Sequence, residues 1–458
     1  MNEPVKCYYT LGGINYKNGF VTSCPQQSDQ LYIIEEGKSI KPSDIINSEG
    51  FKKHRKEMME GTWSAGCHLC KDVEAAKAGS SMRMDYPVDT SNYNAETGEI
   101  NFAAVKHIEL RFSNACNMAC LHCSDVYSSG WMSKLKYYTA DQEDRDHGLI
   151  QLTRRMHRAS EFDTLSIDLD IDSMAQIVND INANFPNIEK VDFAGGEVLY
   201  QKQFFPCLEL LAKHPNKNDM TICFHSNFNA KADMGRLYEL LLPFGGMPSY
   251  RDGIAKEAPA TIMMSLDSGK NIYPYFRTGD WEVLKKNVET FKQHDKDKRF
   301  DLFVVCTTSA YQIMDLVDVF SSILELDITG LNSSIVYTPK YINPALMMIE
   351  HRESVLKDIA EVKKLIMKEK VRRFANLTEE LKRRAWSEKY KIFTDLYTAQ
   401  KAIENIERYV THNNTATADE YEAMKVYIRK TDTIWKQNFN NHFVKYKFID
   451  GQIIRTEQ

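Results

Sequence analysis

An α/β fold is what this sequence predicts, on three observations. Apolar strand-like runs alternate with amphipathic helical runs through the middle of the chain, the pattern that builds a parallel sheet flanked by helices. Hydrophobic residues make up 43% of the 458 and charged residues 26%, a globular profile on a chain too long for a single core. Seven of the ten cysteines fall before residue 124, which sets a cysteine-rich segment at the front of the chain.

Composition also excludes partners. The formal net charge of -5 supplies no global field for gripping a polyanion, so nucleic acid is not the default partner. The start, MNEPVKCYYT, lacks the apolar stretch of a signal peptide, and no run approaches about 18 uninterrupted apolar residues. The expectation is a cytoplasmic protein with no membrane partner. In that reducing compartment, ten cysteines point to metal binding before disulfides.

Residues 1–85 are expected to form a small module. GINY and FVTSC flank Lys17-Asn18-Gly19, where Asn-Gly suits the positive φ angles of a tight hairpin. Pro42-Ser43-Asp44 offers a helix start before IINSEGFKKHRKEMMEG, and Gly61 suits its C-terminal cap. GCHLC closes the module. So few apolar residues make a poor core, and a metal can supply the missing stability. Residues 86–101 are read as a linker.

From 102 to 340, strands are expected at HIELRFS (107–113), EKVDFAG (189–195), MTICFHS (220–226), TIMMSLD (261–267), FDLFVVCTT (300–308) and NSSIVYT (332–338). Helical patterns such as DSMAQIVNDINANF and DWEVLKKNVETFKQH separate them. Apolar residues on both faces would fit a sheet covered by helices, and six units match either a partial barrel or an open doubly wound sheet. Residues 341–458 read as helical and charged. There EVKKLIMKEKVRRFANLTEELKRRAW sets Lys and Arg around a sparse apolar stripe, which is foremost a solvated helix face and secondarily a surface for nucleic acid or acidic peptide.

The chemistry concentrates in CNMACLHC, where Cys116, Cys120 and Cys123 are spaced C-x3-C-x2-C directly after the first expected strand of the α/β region. Thiolates hold soft iron well, and three on one loop leave one iron of a four-iron cube without a protein ligand. Zinc, with His122 or a distant residue as fourth ligand, is the competing reading. The motif and its place resemble the radical S-adenosylmethionine (SAM) enzymes, and the resemblance spans roughly residues 105–310. It implies a partial (β/α)6 barrel and a [4Fe-4S] cluster whose open iron is chelated by SAM. It further implies reductive cleavage of SAM to a 5′-deoxyadenosyl radical, with electrons from a low-potential donor such as flavodoxin or ferredoxin.

Later strand ends add to it. Ala194-Gly195-Gly196-Glu197 resembles the family's GGE, which implies that Gly195, Gly196 and Glu197 meet the SAM amino group. Ser226 and Asn227 stand where relatives carry a Ser/Thr-Asn pair, and Ser265 and Asp267 resemble an S-x-D directed at the ribose. Arg277 resembles an arginine that pairs with the SAM carboxylate, a task suited to a planar fork. His122 sits where an aromatic packs near the adenine, and Thr307 and Thr308 could also line the pocket. Each of these polar residues has a plainer reading as a helix cap or turn former.

Cys7, Cys24, Cys67 and Cys70 make a second set, C-x16-C-x42-C-x2-C, enough to close a site completely. A structural zinc fits that pattern. The stretch also resembles the SPASM or twitch auxiliary-cluster modules of radical SAM enzymes, which implies a second, fully ligated [4Fe-4S] cluster. Cys207, Cys223 and Cys306 are expected as buried apolar fillers. The resulting expectation is a radical SAM oxidoreductase or maturase acting on a peptide or a small molecule. The opposing class is a non-catalytic iron-sulfur or zinc protein with a nucleic-acid-binding helical C-terminus.

Overall fold

In the computed structural model the described residues are 3–17, 19–75, 81–84, 86–124, 127–132, 134, 169–246, 248–249, 256–257, 260–297, 299–328, 330–336, 340–375, 394–412 and 416–456. The chain divides into two compact units. One comprises Met1–Ala115, Ser160–Phe224 and Ala232–Thr261; the other comprises Cys116–Ala159, His225–Lys231 and Ile262–Gln458.

In the first unit, β1 (Gly13–Lys17), β2 (Phe20–Thr22) and β3 (Tyr32–Ile33) run antiparallel. Lys17 pairs with Phe20 across a tight turn in which Gly19 has φ +82°; Asn18 lies outside the described residues. β1 then pairs in parallel with β4 (His107–Leu110), β4 with β5 (Lys190–Phe193), and β5 with the start of β6 (Thr221–Ser226). The hairpin near the N-terminus therefore shares its ladder with strands of the central region. Tyr93 and Ile100 bridge within the stretch read as a linker.

Helices α1 (Tyr8–Gly12), α2 (Glu49–Met59) and α3 (His68–Ala75) accompany the hairpin. α2 ends as its sequence predicts. Gly61 has φ +82°, its N–H reaches the Met58 carbonyl and the Thr62 N–H reaches that of Glu57, the paired bonds of a Schellman cap. α4 (Ile171–Asn184) starts at Asp170, whose carboxylate accepts from the Ser173 N–H, and α5 (Phe204–Leu211) and α6 (Met234–Leu241) follow.

The two faces of this ladder differ. Ile108, Leu110, Val191, Phe193, Ile222 and Phe224 are fully buried, and the Phe204 ring of α5 sits 5.1 Å from both Phe193 and Phe224. The opposite face is polar: Asn15, Glu109, Asp192 and Cys223 are successive register partners across four strands. This corrects the expectation of apolar residues on both faces. Glu109 is paired with Arg111, and Asp192 with His107 and Lys190. Burial alone would raise the Asp192 carboxyl, but Lys190 and His107 outweigh it and hold it low.

The second unit carries most of β7 (Ala260–Ser265), from Ile262 on, with β8 (Asp301–Thr308) and β9 (Gly330–Ile335) parallel from Phe303↔Gly330 to Thr308↔Ile335. All six strands expected of the α/β region thus form; the last begins earlier than NSSIVYT suggested. α7 (Trp281–His294) is capped by Asp280, as DWEVLKKN predicts. α8 (Leu316–Glu325) packs on α9 (Arg352–Ala375), and α10 (Thr394–His412) covers β9 and α9. α9 buries a narrow stripe of Val355, Ile359, Val362 and Ile366, so its Lys and Arg residues make up the solvated side. Residues 376–386 of that basic run lie outside the described residues.

The C-terminal region is largely helical, as its sequence predicts. Beyond α11 (Ala418–Trp435) and the short α12 (Phe439–His442) it also carries a hairpin, β10 (Tyr446–Ile449) and β11 (Gln452–Arg455). Asp450 and Gly451 both have positive φ, 49° and 76°, the requirement of a type I′ turn. Lys445 and Arg455 fix the hairpin to buried Asp358 of α9. No helix among the described residues is long and apolar enough to cross a membrane.

Candidate functional site

Within the second unit, hydrogen bonds from surrounding residues set the shape of the loop 116–123. Cys116 N–H donates to Ser129 Oγ (3.1 Å), Ala119 N–H to Thr278 Oγ1 (2.8 Å) and Leu121 N–H to the Phe276 carbonyl (2.9 Å). Trp131 Nε1–H donates to the Cys120 carbonyl (2.9 Å), and the Tyr427 hydroxyl of α11 to that of Leu121 (2.8 Å). The three thiols are electrostatic neighbours. Burial pushes the Cys120 thiol up, Cys123 and Cys116 add to that, and Arg277 opposes it.

Beside the thiols lies a buried ion pair. Asp267, 1% exposed, binds Arg277 Nη1 through Oδ2 and accepts the Thr307 N–H at Oδ1 (2.6 Å). His122 Nε2 is 3.4 Å from the same Oδ2, and its ring stacks on Phe276 at 5.1 Å and 9°. Burial works against the Arg277 charge, but Cys120 and Asp267 more than restore it. Burial lowers the His122 pKa, against the pull of Asp267. Among the described residues two polar atoms here have no hydrogen-bond partner, Arg277 Nε and His122 Nδ1, although both residues are buried or nearly so. An unmatched buried donor on a fixed cation suits an anionic ligand group.

The other expected residues of this unit act mainly on the backbone. Ser226 Oγ accepts the Phe228 N–H (3.0 Å) at a residue with φ +53°. Asn227 Oδ1 accepts the Asn229 N–H (2.7 Å), while its Nδ2 donates to Asn117 Oδ1 (3.0 Å), between the first two cysteines of the triplet. Ser265 closes β7, and Thr307 Oγ1 is 3.4 Å from Ser334 Oγ. Asn117, Thr278, Trp131 and Tyr427 were not singled out from the sequence. Only Thr278 left a trace, in the RTGD turn that its φ of +59° occupies.

Gly195, Gly196 and Glu197 belong to the first unit. Gly196 has φ +53°, and a Cβ there would lie 2.2 Å from the Ala115 carbonyl oxygen, so the close approach of residues 113–115 requires glycine. Glu197, 1% exposed, donates its N–H to that same carbonyl (2.9 Å) and caps the following turn through Oε1 (3.0 Å to Leu199 N). The motif thus braces the stretch that leads into Cys116.

Also in the first unit, Cys7, Cys24, Cys67 and Cys70 line one cavity, with Tyr9, Met58 and Trp63 as its apolar wall and Arg83 at its edge. Three separate segments bring them together: the N-cap of α1, the end of the hairpin, and the turn running into α3, which carries both Cys67 and Cys70. Burial drives the Cys24 thiol up to about 12, and raises Cys7 and Cys67 as well. Backbone N–H groups already face the sulfurs, from Thr10 and Tyr9 to Cys7 and from Gln26 to Cys24 (3.4 Å). Such a pocket binds protons or metal, and metal favours the thiolate form. The thiols surround a space; among the described residues no three or more His, Cys, Asp or Glu side chains converge as they would around a single ion. Cys207 and Cys306 are buried, as expected of fillers; Cys223 is also buried but lies on the polar face, where its thiol hydrogen-bonds with Asp192 and Thr261.

No protein-family profile matches the chain, and no curated protein does. Among solved structures, native anSMEcpe with bound AdoMet aligns with 50% of this chain at 16% identity and a TM-score of 0.33, and the match spans about half (50%) of its length. Streptococcus suis SuiB bound to S-adenosylmethionine aligns with 69% of this chain and 59% of its own at 14% identity, TM-score 0.29. SuiB bound to its precursor peptide SuiA gives 69%, 60%, 14% and 0.32. Likenesses this weak carry no chemistry over to the chain.

Proposed function

We propose that the chain is a radical SAM enzyme that oxidises or modifies a peptide or small-molecule substrate. The observation that supports it most is the triplet itself: three thiols on a loop braced from several sides, next to a buried Arg277 that Asp267 keeps charged and whose Nε is unmatched. Cys116, Cys120 and Cys123 would hold a [4Fe-4S] cluster, and Arg277 would receive the carboxylate of SAM. When bound, cluster and SAM supply reductive cleavage to a 5′-deoxyadenosyl radical, with electrons from a low-potential donor.

The remaining tasks belong to the chain's own residues. Asp267 orients the guanidinium, and its contact with the Thr307 N–H fixes the carboxylate in turn. Phe276 covers the His122 ring, and Trp131, fully buried, closes the loop against water. Cys7, Cys24, Cys67 and Cys70, which line one cavity of the first unit, would hold a second, fully ligated [4Fe-4S] cluster, and when bound it would supply an electron acceptor or a hold for the substrate.

The test is anaerobic reconstitution with iron and sulfide, an iron count, then dithionite and SAM with detection of 5′-deoxyadenosine. About eight irons per chain together with SAM cleavage is the expected result. Zinc in place of iron, with SAM left intact, would overturn the reading.

A further inference from the structure

Among the described charged side chains around the four-thiol cavity, Arg83 is the one held at its edge by several contacts. Its Nε and Nη2 form a fork on the Glu74 carboxylate (2.9 and 2.6 Å), Nη1 donates to the Lys6 carbonyl (2.6 Å), and its guanidinium carbon lies 5.5 Å from the centre of the Trp63 ring. Three contacts on three sides leave the group little rotational freedom. Arg83 lines the cavity together with all four thiols, and it interacts electrostatically with Cys7 and Cys70. Glu74 follows Cys70 by one helical turn of α3, so ligand candidate and counter-ion share one face of one helix.

The alternative cation, Lys17, is weaker in this role. Its ammonium is committed to the Gln27 carbonyl (2.5 Å), and burial brings its pKa down to about 8. An arginine keeps its charge at any working pH.

We propose that Arg83 is a fixed cation that raises the reduction potential of an iron-sulfur cluster held by Cys7, Cys24, Cys67 and Cys70, with Glu74 as the opposing charge that limits the rise. This rests on reading the cavity as a cluster site. Four thiolates around a four-iron cube leave it anionic, and more so after reduction, so a nearby positive charge stabilises the reduced form more than the oxidised one. Nearby net charge is among the terms that set such potentials.

The proposal makes opposite predictions for the two partners. The full chain carrying Cys116→Ala, Cys120→Ala and Cys123→Ala isolates the second cluster, and the measurement is a potentiometric titration followed by electron paramagnetic resonance, with iron counted on the same sample. Arg83→Gln should lower the midpoint by about a tenfold change in the oxidised-to-reduced ratio, about 59 mV for one electron. Glu74→Gln should raise it, and Arg83→Lys should stay near the parent.

A merely structural role for Arg83 would shift both neutral variants in the same direction, or change iron content without changing the midpoint. Either result overturns the proposal. Failure of the underlying reading looks different: zinc or no iron in the parent, with no paramagnetic signal on reduction. Should Arg83→Gln lose its cluster, Glu74→Gln and Arg83→Lys still decide, since the charge argument requires a higher midpoint in the first and an unchanged one in the second.

Discussion

The triplet loop and the four-thiol cavity solve the same problem, holding sulfur ligands ready, by opposite means. Cys116, Cys120 and Cys123 share one short loop whose shape is imposed from outside by Thr278, Phe276, Trp131 and Tyr427. Cys7, Cys24 and the Cys67/Cys70 pair come from three segments, and the fold itself is the frame. Their charges differ as well. The triplet has a buried Asp267–Arg277 pair with an unmatched Nε, whereas the cavity has Arg83 held from behind by Glu74. On the proposed reading, a set of three would leave room for a guest beside polar atoms that lack partners among the described residues, and a set of four would be closed, beside a charge that Glu74 already pairs.

The strongest test of that contrast removes ligands. Replacing Cys116, Cys120 and Cys123 with Ala should abolish 5′-deoxyadenosine formation and halve the iron, whereas replacing Cys67 and Cys70 should also halve the iron but leave part of the SAM cleavage and stop substrate turnover. Iron counts with product chromatography read both. Normal turnover without Cys67 and Cys70 would end the distinction between an open and a closed site. Next in size is Asp267→Asn. It strands a buried guanidinium, with an expected loss of about 3–5 kcal/mol in denaturant unfolding and a higher SAM concentration for half-maximal cleavage. An unchanged SAM dependence would separate Arg277 from the cofactor.

Acid should strain the four-thiol region. His54, 2% exposed, sits between Thr10 Oγ1 (3.2 Å), Ser23 Oγ (3.3 Å) and Gln27 Nε2 (3.4 Å), a set that suits a neutral ring. Burial pushes its pKa down to about 4, below the unfolded value of about 6.5. A group depressed in the folded state contributes stability that is present above its unfolded pKa and fades as pH falls towards the folded one. Melting of the metal-free protein should therefore drop between about pH 6.5 and 4, and His54→Gln should flatten that slope. In the triplet region Asp267 offsets part of the same effect at His122, so His122→Gln should flatten it less. Equal slopes in all three proteins would refute the assignment.

What the sequence revealed follows the same division. The triplet was legible because its ligands are neighbours in the chain, and the α/β class because strand and helix periods are local. HIELRF also spelled out its polar face: His107, Glu109 and Arg111 alternate with Ile108, Leu110 and Phe112, yet the strands looked apolar as a group because Ile, Val and Phe outnumber the charges. The closing hairpin was announced by Asp450-Gly451, a short signal set after a long run of helical pattern. Gly196 was marked for a ligand, but a backbone approach by Ala115 already demands it. Tyr427 could not be found at all, since 306 residues separate it from the carbonyl it holds and nothing in a helix's own pattern records what its hydroxyl meets.

That hydroxyl gives the smallest and most local prediction. Tyr427 is fully buried, with its ring 4.8 Å from that of Tyr341, so Tyr427→Phe keeps the packing and removes one hydrogen bond to the Leu121 carbonyl, between Cys120 and Cys123. The cost in stability should be about 1 kcal/mol. The loop should then yield its iron to a chelator faster, by up to about fivefold if that energy is lost from the bound state alone. The four-thiol set is framed by its fold and does not depend on this loop, so the iron it holds should leave at the parent rate. Measuring release in chains that carry only one set of cysteines at a time isolates the two rates. If Tyr427→Phe speeds both equally, the hydroxyl supports the protein at large and the triplet loop is not held from outside.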